Sequence, residues 1–275
     1  MTELTRSALY VPGDRPAMLA KALDRGADSL IVDLEDAVPL HAKERAREQV
    51  AEWLKGLPDT VRPQIWVRIN PGERGLEDAR AVALPAVTGL CLAKAETPAE
   101  IAALDRVLSD APWMVLTPLI ESAKAVLDAP ALAAAPRVVR LQLGEADLRA
   151  DLGVDPSPDE RELLWARSQV VLASAAAGIA PPMAPVSTEF RDTEFLRRST
   201  EALRRLGFYG RACIHPAQVA VVHEVFTPSP EEVEKARALV ERFENSSSGV
   251  LLDDQGRMVD EAVIRMARRI LSTRS

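Results

Sequence analysis

Cysteine is scarce: the chain of 275 residues holds two, Cys91 and Cys213, far apart and each inside an apolar run. That excludes a disulfide framework and a CxxC metal or redox pair, and it fits a reducing, cytoplasmic setting. Aromatic residues make up only 4%, and acids outnumber bases 41 to 34 for a formal charge of −7. The chain has neither the basic footprint nor the stacking platforms of a nucleic-acid binder. Long hydrophobic runs are missing too. The one long uncharged stretch, Ser168–Thr188, is interrupted by Pro181, Pro182 and Pro185, which excludes a membrane span. The opening MTELTRSALYVPGDRP lacks the basic-then-apolar pattern of an ordinary secretory signal. No two glycines stand two apart, so GxGxxG is absent, as are GxxxxGK[ST], GxSxG and HExxH.

What remains is an ordinary globular composition, 47% hydrophobic, in a chain slightly longer than the roughly 250 residues of one large α/β barrel. Short apolar, β-branched runs alternate with longer charged, alanine-rich segments of helical spacing. The runs are Ala8–Val11, Ser29–Asp33, Gln64–Ile69, Gly89–Ala93, Met114–Leu119, Val138–Leu143, Ile179–Val186 and Gly210–Ile214. Helices are expected at Arg15–Arg25, Ala42–Trp53, Pro98–Leu108, Ser122–Ala133, Asp159–Ala177 and Thr188–Leu206, several opened by Pro, Ser, Thr or Asp at capping positions. Eight such units predict an α/β fold, a TIM (β/α)8 barrel, before any open sheet. The seventh run, IAPPMAPV, is the weakest because of its prolines. After Pro216 only helices follow, at Ala217–Val225, Pro230–Phe243 and Asp260–Leu271, with NSSSG as a hinge and a short hairpin between the last two. The expected division is a barrel over 1–225 and a C-terminal helical arm or lid over 226–275.

In such a barrel, chemistry collects at the carboxyl ends of the strands. There stand Asp33, Glu35 and Asp36 after the second run, Arg68 and Asn70 at the third, Lys94 and Glu96 after the fourth, Glu121 after the fifth, Glu145 and Asp147 after the sixth and His215 after the eighth. Several carboxylates at one mouth repel unless a cation or arginine sits among them. A Glu and an Asp on adjacent strands, with no His or Cys cluster, suit a hard cation, which makes Glu121 and Asp147 the candidate pair for Mg2+, or Mn2+ in its place. Arg68, in WVRIN, offers a fork for a carboxylate or a developing oxyanion. Arg6, Arg15 and Lys94 are candidate local cations for an anionic substrate, with Gly144 a further candidate contact. His215 precedes a proline and a helix start, which favours a structural role.

The series RSALYVPGDRP, LIVDLEDAV, WVRIN, LAKAE, PLIES, LGEADLRADLG and GRACIHPAQV, in that order from Arg6 to about Val225, resembles the citrate lyase β-subunit-like and malyl-CoA lyase group of the HpcH/HpaI aldolase superfamily. The tail GRMVDEAVIRMARRIL adds to the likeness. The resemblance implies a TIM barrel, a trimer or hexamer of identical chains, Mg2+, and making or breaking of a carbon–carbon bond between a 2-oxo acid and an acyl-CoA. Glu121 and Asp147 match the family's metal ligands. Arg68 matches the residue that stabilises the enolate, and Glu35 and Asp36 match carboxylates that hold metal-bound waters. Asp260 matches an acid/base delivered from a neighbouring subunit. The chain departs from its relatives at Ala184, where an aspartate is frequent in the seventh strand, and Glu145 receives no role.

Expected, then, is a Mg2+-dependent lyase acting on a malyl-CoA- or citramalyl-CoA-like substrate. Its rivals are a citrate lyase β subunit working in a complex, a free-acid aldolase of the same superfamily, and a non-catalytic regulatory barrel that keeps the metal site.

Overall fold

An apolar run becomes a strand only where its backbone completes a ladder, and the runs differ in how far they manage this. The computed structural model describes residues 4–58, 60–246, 249–253 and 255–272. Six runs give strands: β1 (Ser7–Pro12), β2 (Ser29–Asp33), β3 (Gln64–Ile69), β4 (Val87–Leu92), β5 (Val115–Ile120) and β7 (Arg211–Cys213), while the Val138–Leu143 run shrinks to β6 (Gln142–Leu143). These seven pair in parallel in the order β6-β5-β4-β3-β2-β1-β7. The strand expected at Ile179–Val186 does not form. Met183 and Ala184 contribute only isolated parallel bridges, to Gln142 of β6 and Arg211 of β7. The cause is local: Pro181, Pro182 and Pro185 have no N–H to donate to a ladder. The result is a curled seven-stranded parallel sheet.

The helices that cross between strands are α1 (Pro16–Ala22), α2 (Lys43–Lys55), α3 (Gly72–Val82), α4 (Pro98–Val107), α5 (Ala123–Ala133), α6 (Glu145–Leu152), α7 (Leu164–Ala176) and α8 (Thr193–Leu206); α9 (Ala217–Phe226), α10 (Pro230–Glu244) and α11 (Glu261–Ser272) follow β7. Their starts are specified by sequence. Thr97 before α4 and Ser229 before α10 each form a capping box with the glutamate three residues on, and Ser122 and Asp192 cap α5 and α8. Each such cap contributes about 1 kcal/mol. Among the described residues, no helix is long and apolar enough to cross a membrane.

Residues two apart on a strand share a face. One face of the sheet presents Ala8, Ile31, Trp66, Cys91, Leu119 and Ala212, which pack with Met183 into a single buried cluster, one side chain from nearly every strand. The alternate residues Leu30, Val32, Ile65, Val67 and Leu90 are also fully buried, on the opposite face. This is why the strands read as continuous apolar runs.

The chain divides into two compact units, Met1–His223 and Glu224–Ser275. In the second, a hairpin of β8 (Leu251–Leu252) and β9 (Met258–Val259) joins α10 to α11, around a core of Ala236, Val240, Val259, Ile264 and Ala267. The hinge expected at NSSSG falls partly on Ser247 and Ser248, outside the described residues.

Gly89 marks the tightest point of the sheet. A Cβ there would lie 2.3 Å from the Val115 carbonyl oxygen and 2.7 Å from the Trp66 ring, beside the register shift between β3 and β4. Neither neighbour can yield without breaking the ladder. Gly89→Ala is therefore expected to destabilise the chain by at least ~2 kcal/mol, measured by urea unfolding, whereas alanine in place of the exposed Leu252 should change stability by less than about 0.5 kcal/mol.

Candidate active site

The period of two that builds the apolar cluster also builds the site. One step further toward the carboxyl ends, the same face carries Tyr10 after Ala8, Asp33 after Ile31, Arg68 after Trp66 and Glu121 after Leu119. Asp33 and Arg68 are register partners on adjacent strands. The Arg68 guanidinium donates from Nε and Nη2 to the two Asp33 oxygens at 2.7 and 2.6 Å, a bidentate pair. Its Nη1 lies 3.1 Å from Glu35, and the group stacks over Tyr10 with Cζ 5.0 Å from the ring centre. Burial alone would lower the guanidinium's pKa, but Asp33 outweighs it and moves the pKa up. Asp33 is itself fixed, accepting the Glu35 and Ala37 N–H groups at 2.8 and 3.1 Å.

The loop after β2 sets the next layer. Glu35 is buried, and burial is the main reason that its carboxyl is raised above the usual range. Lys94 Nζ donates to it and lies 3.4 Å from Asp36. Lys94 is one of three non-glycine residues with positive φ among those described, at 51°. That turn aims its backbone N–H at Glu121 Oε1, 2.5 Å away, while its side chain reaches the β2 loop.

Glu121 is 4% exposed. Its carboxyl is pushed up to about 7, foremost by burial and further by the charges of Asp147 and Glu35, against the pull of the Lys94 N–H. Asp147 sits half-buried in the first turn of α6, where Gly144 precedes the helix. A Cβ on Gly144 would fall 2.6 Å from Glu121 Oε2, so only glycine leaves room for that carboxylate. Among the described residues no cluster of three His, Cys, Asp or Glu side chains stands ready for a metal. Two carboxylates are nevertheless what Mg2+ uses when it keeps several waters. The charge count agrees. Asp33, Glu35, Asp36, Glu121 and Asp147 bring five carboxyl groups to the same strand ends as Arg68 and Lys94, so the carboxyls outnumber these two cations by three. A divalent cation fits that deficit.

Other expected residues lie elsewhere or are already engaged. Arg6 precedes β1 and so stands at the amino end of the sheet, paired with Asp28 at 2.8 Å; it is not at the mouth. Arg15, at the carboxyl end of β1, is exposed, with Asp14 at 3.5 Å. Lys94 braces Glu35 and Asp36. Glu145 is bound by Arg167 at 2.6 and 2.8 Å. Glu96 accepts from Ser122 at 3.0 Å. His215 accepts the Ala217 N–H at 3.1 Å and stacks on Phe190, in keeping with a structural role. Asp260 lies in the second unit, where its carboxylate accepts the Ala262 and Val263 N–H groups at 2.9 and 3.1 Å and caps α11. The sequence reading gave Asp33 no separate role and did not single out Tyr10 or Gln142, whose Nε2 donates to the Tyr10 hydroxyl at 3.0 Å. The available signal was the alternation in SALYVP, SLIVD and QIWVRI, which places these residues on one face.

If Asp33 is the brace for Arg68, Asp33→Asn is expected to lower stability by about 3 kcal/mol, because it leaves a buried cation with half its fork unpaired. Thermal unfolding should register this as a midpoint several degrees lower.

The chain is also similar to known proteins. Residues 6–216 match the family described as HpcH/HpaI aldolase/citrate lyase. The chain is 35% identical to the citrate lyase subunit beta of Leuconostoc mesenteroides subsp. cremoris, over 98% of this chain and 92% of that protein. It is 34% identical to a (3S)-malyl-CoA thioesterase of Cereibacter sphaeroides, over 97% of this chain and 93% of that protein. Among solved structures it superposes on CitE of Mycobacterium tuberculosis, in complex with magnesium, acetoacetate and coenzyme A, with a TM-score of 0.81, 30% identity and 98% of each chain covered.

Proposed function

We propose that this chain, which belongs to the HpcH/HpaI aldolase/citrate lyase family, is a Mg2+-dependent carbon–carbon lyase that cleaves a malyl-CoA- or citramalyl-CoA-like hydroxyacyl-CoA to a 2-oxo acid and an acyl-CoA. The observation that carries the reading is a carboxylate site, Glu121 with Asp147, at the same strand ends as an arginine held rigidly by Asp33, with Glu35 acting on both Glu121 and Arg68. On this reading the sheet is an eight-stranded TIM barrel whose seventh strand is reduced to Met183 and Ala184, and the enzyme works in the cytoplasm as a homotrimer or hexamer.

Glu121 and Asp147 would hold Mg2+ or Mn2+, and the ion supplies a Lewis acid that makes the hydroxyl of the bound 2-hydroxy acid more acidic. As that proton passes to water, the hydroxyl-bearing carbon becomes the carbonyl of the 2-oxo acid, the carbon–carbon bond breaks, and its electron pair passes to the thioester as an enolate. Arg68 faces the enolate oxygen. Because Asp33 and Tyr10 fix its plane before the charge develops, the stabilisation costs no reorganisation during the reaction. Glu35 and Asp36 would orient waters at the metal, and Lys94 keeps those two carboxylates from repelling each other. Asp260 of a neighbouring chain would protonate the enolate carbon and, in the reverse direction, remove that proton. Exposed Arg15 is the remaining candidate for the phosphates of CoA.

A thioesterase reading is kept open by the likeness to (3S)-malyl-CoA thioesterase. One screen separates the two. Purified protein is offered malyl-CoA, citramalyl-CoA, free malate and free citramalate, with and without Mg2+, and both 2-oxo acid and free CoA are followed. Lyase activity yields oxo acid and acyl-CoA only with Mg2+; free CoA without oxo acid assigns a thioesterase; oxo acid from the free acids alone assigns the free-acid aldolase; no turnover returns the binding barrel. Glu121→Gln and Asp147→Asn should each abolish turnover and weaken Mg2+ binding while leaving the circular dichroism spectrum intact.

The donated acid has its own test. Asp260→Ala should lower kcat by at least about a hundredfold, the usual range for lost acid–base catalysis, with Mg2+ affinity unchanged. Mixing Asp260→Ala chains with Glu121→Gln chains should then restore part of the activity, since some mixed sites combine an intact metal pair with an intact tail. If no mixing ratio restores activity in oligomers that exchange subunits, Asp260 is the cap of α11 and no more.

A further inference from the structure

The amino end of the sheet holds a second polar site, unrelated to the carboxylate cluster. Arg140 is 7% exposed, and no carboxylate among the described residues acts on it. Its Nε donates to the Pro181 carbonyl at 2.8 Å, but its Nη2 is buried with no hydrogen-bond partner among the described residues. Two other buried side-chain atoms share that description, and each has an opposite charge nearby: Asp14 Oδ1 lies 3.5 Å from Arg15, and Arg47 Nη2 lies 2.9 Å from Glu77. Arg140 Nη2 alone of the three has none. A second buried arginine shows how this fold treats a guanidinium that is purely structural. Arg211 is 4% exposed and donates to the Pro185 carbonyl at 3.0 Å and to the Ser199 and Thr200 hydroxyls at 2.7 Å each. Among the described residues Arg140 makes one such bond, to the Pro181 carbonyl.

Arg140 also lines open space. It borders a cavity of about 440 Å³ whose walls are mostly apolar, with Trp66, Val138, Val139, Ile179 and Ala180 around it. On its inner side a void of about 20 Å³, edged by Ser29, Thr117 and Gln142, separates it from the apolar cluster. The larger volume is that of a small-molecule site, and an apolar pocket with one convergent charge is the usual form of one. Leaving a buried cation unpaired costs several kcal/mol unless a ligand supplies the charge.

We propose that this cavity binds a small monocarboxylate with an apolar body, its carboxylate paired with the Arg140 guanidinium and its chain against Trp66, Val139 and Ile179. The site stands apart from the proposed lyase centre, which lies at the opposite ends of the same strands, and does not depend on that assignment. Burial pulls the Arg140 pKa down to about 10, against a smaller upward pull from Tyr209 and Cys91, so the group is still charged at neutral pH.

The test is isothermal titration of the full chain, without added metal, against acetate, butanoate, hexanoate and octanoate. Affinity should rise about fourfold per added methylene until the cavity is filled. Arg140→Met should reduce hexanoate affinity at least tenfold, and because it removes an unpaired buried charge it should unfold at the same or a higher temperature than the parent. Ala180→Phe, which fills the cavity and keeps the arginine, should also lose binding. Glu121→Gln, at the far end of the strands, should retain it. The proposal is overturned if no carboxylate binds the parent chain, if affinity is independent of chain length, or if Arg140→Met binds hexanoate as the parent does.

Discussion

Five carboxylates brought to one end of a sheet repel one another, and the strand ends of this chain hold together because Arg68 is placed among them. Its bidentate hydrogen bonds to Asp33 join β2 to β3 at their carboxyl ends. Its contact with Glu35 pulls the following loop inward, and its stacking on Tyr10 ties in β1. Lys94 plays the smaller part from β4, with its backbone on Glu121 and its ammonium on Glu35. Remove the arginine and several neighbours lose their partner at once, which is why single substitutions there are expected to be far from additive.

That arrangement decides how many donors the group has left. An arginine fully satisfied by carboxylates is a strut with no donor left over. Here two N–H groups hydrogen-bond Asp33, while Nη1 is shared between Glu35 at 3.1 Å and Asp36 at 3.6 Å. Of its five N–H donors, at least one on Nη2 is left without a carboxylate partner among the described residues. The placement of Gly144 serves the same end: a backbone without a side chain lets the Glu121 carboxylate occupy the space between β5 and α6.

Much of this was legible in the amino-acid sequence. Ser29–Asp33 and Gln64–Ile69 could be bounded to the residue because both their faces are apolar and their ends are polar. The candidate residues Arg68, Glu121 and Asp147 followed from standing at strand ends. Three things did not come through. IAPPMAPV has the hydrophobicity of a strand but not the N–H groups, so its apolar content misled. Arg6 was assigned to the mouth although it precedes β1, and chain direction places it at the amino end beside Asp28. The role of Asp33 is a matter of register, and register between two strands is a tertiary property that neither strand carries alone.

The proline-bearing run between β6 and β7 has a consequence for the molecule in solution. Two strand edges face each other across it, and each is short. Unpaired edges are templates on which other chains add strands. A segment with Pro181, Pro182 and Pro185 covers these edges through bridges at Met183 and Ala184 and cannot itself extend a ladder outward. The backbone that weakens the sheet thus also fills the seam between its two short edges, so that neither edge is left as an open template along its whole length.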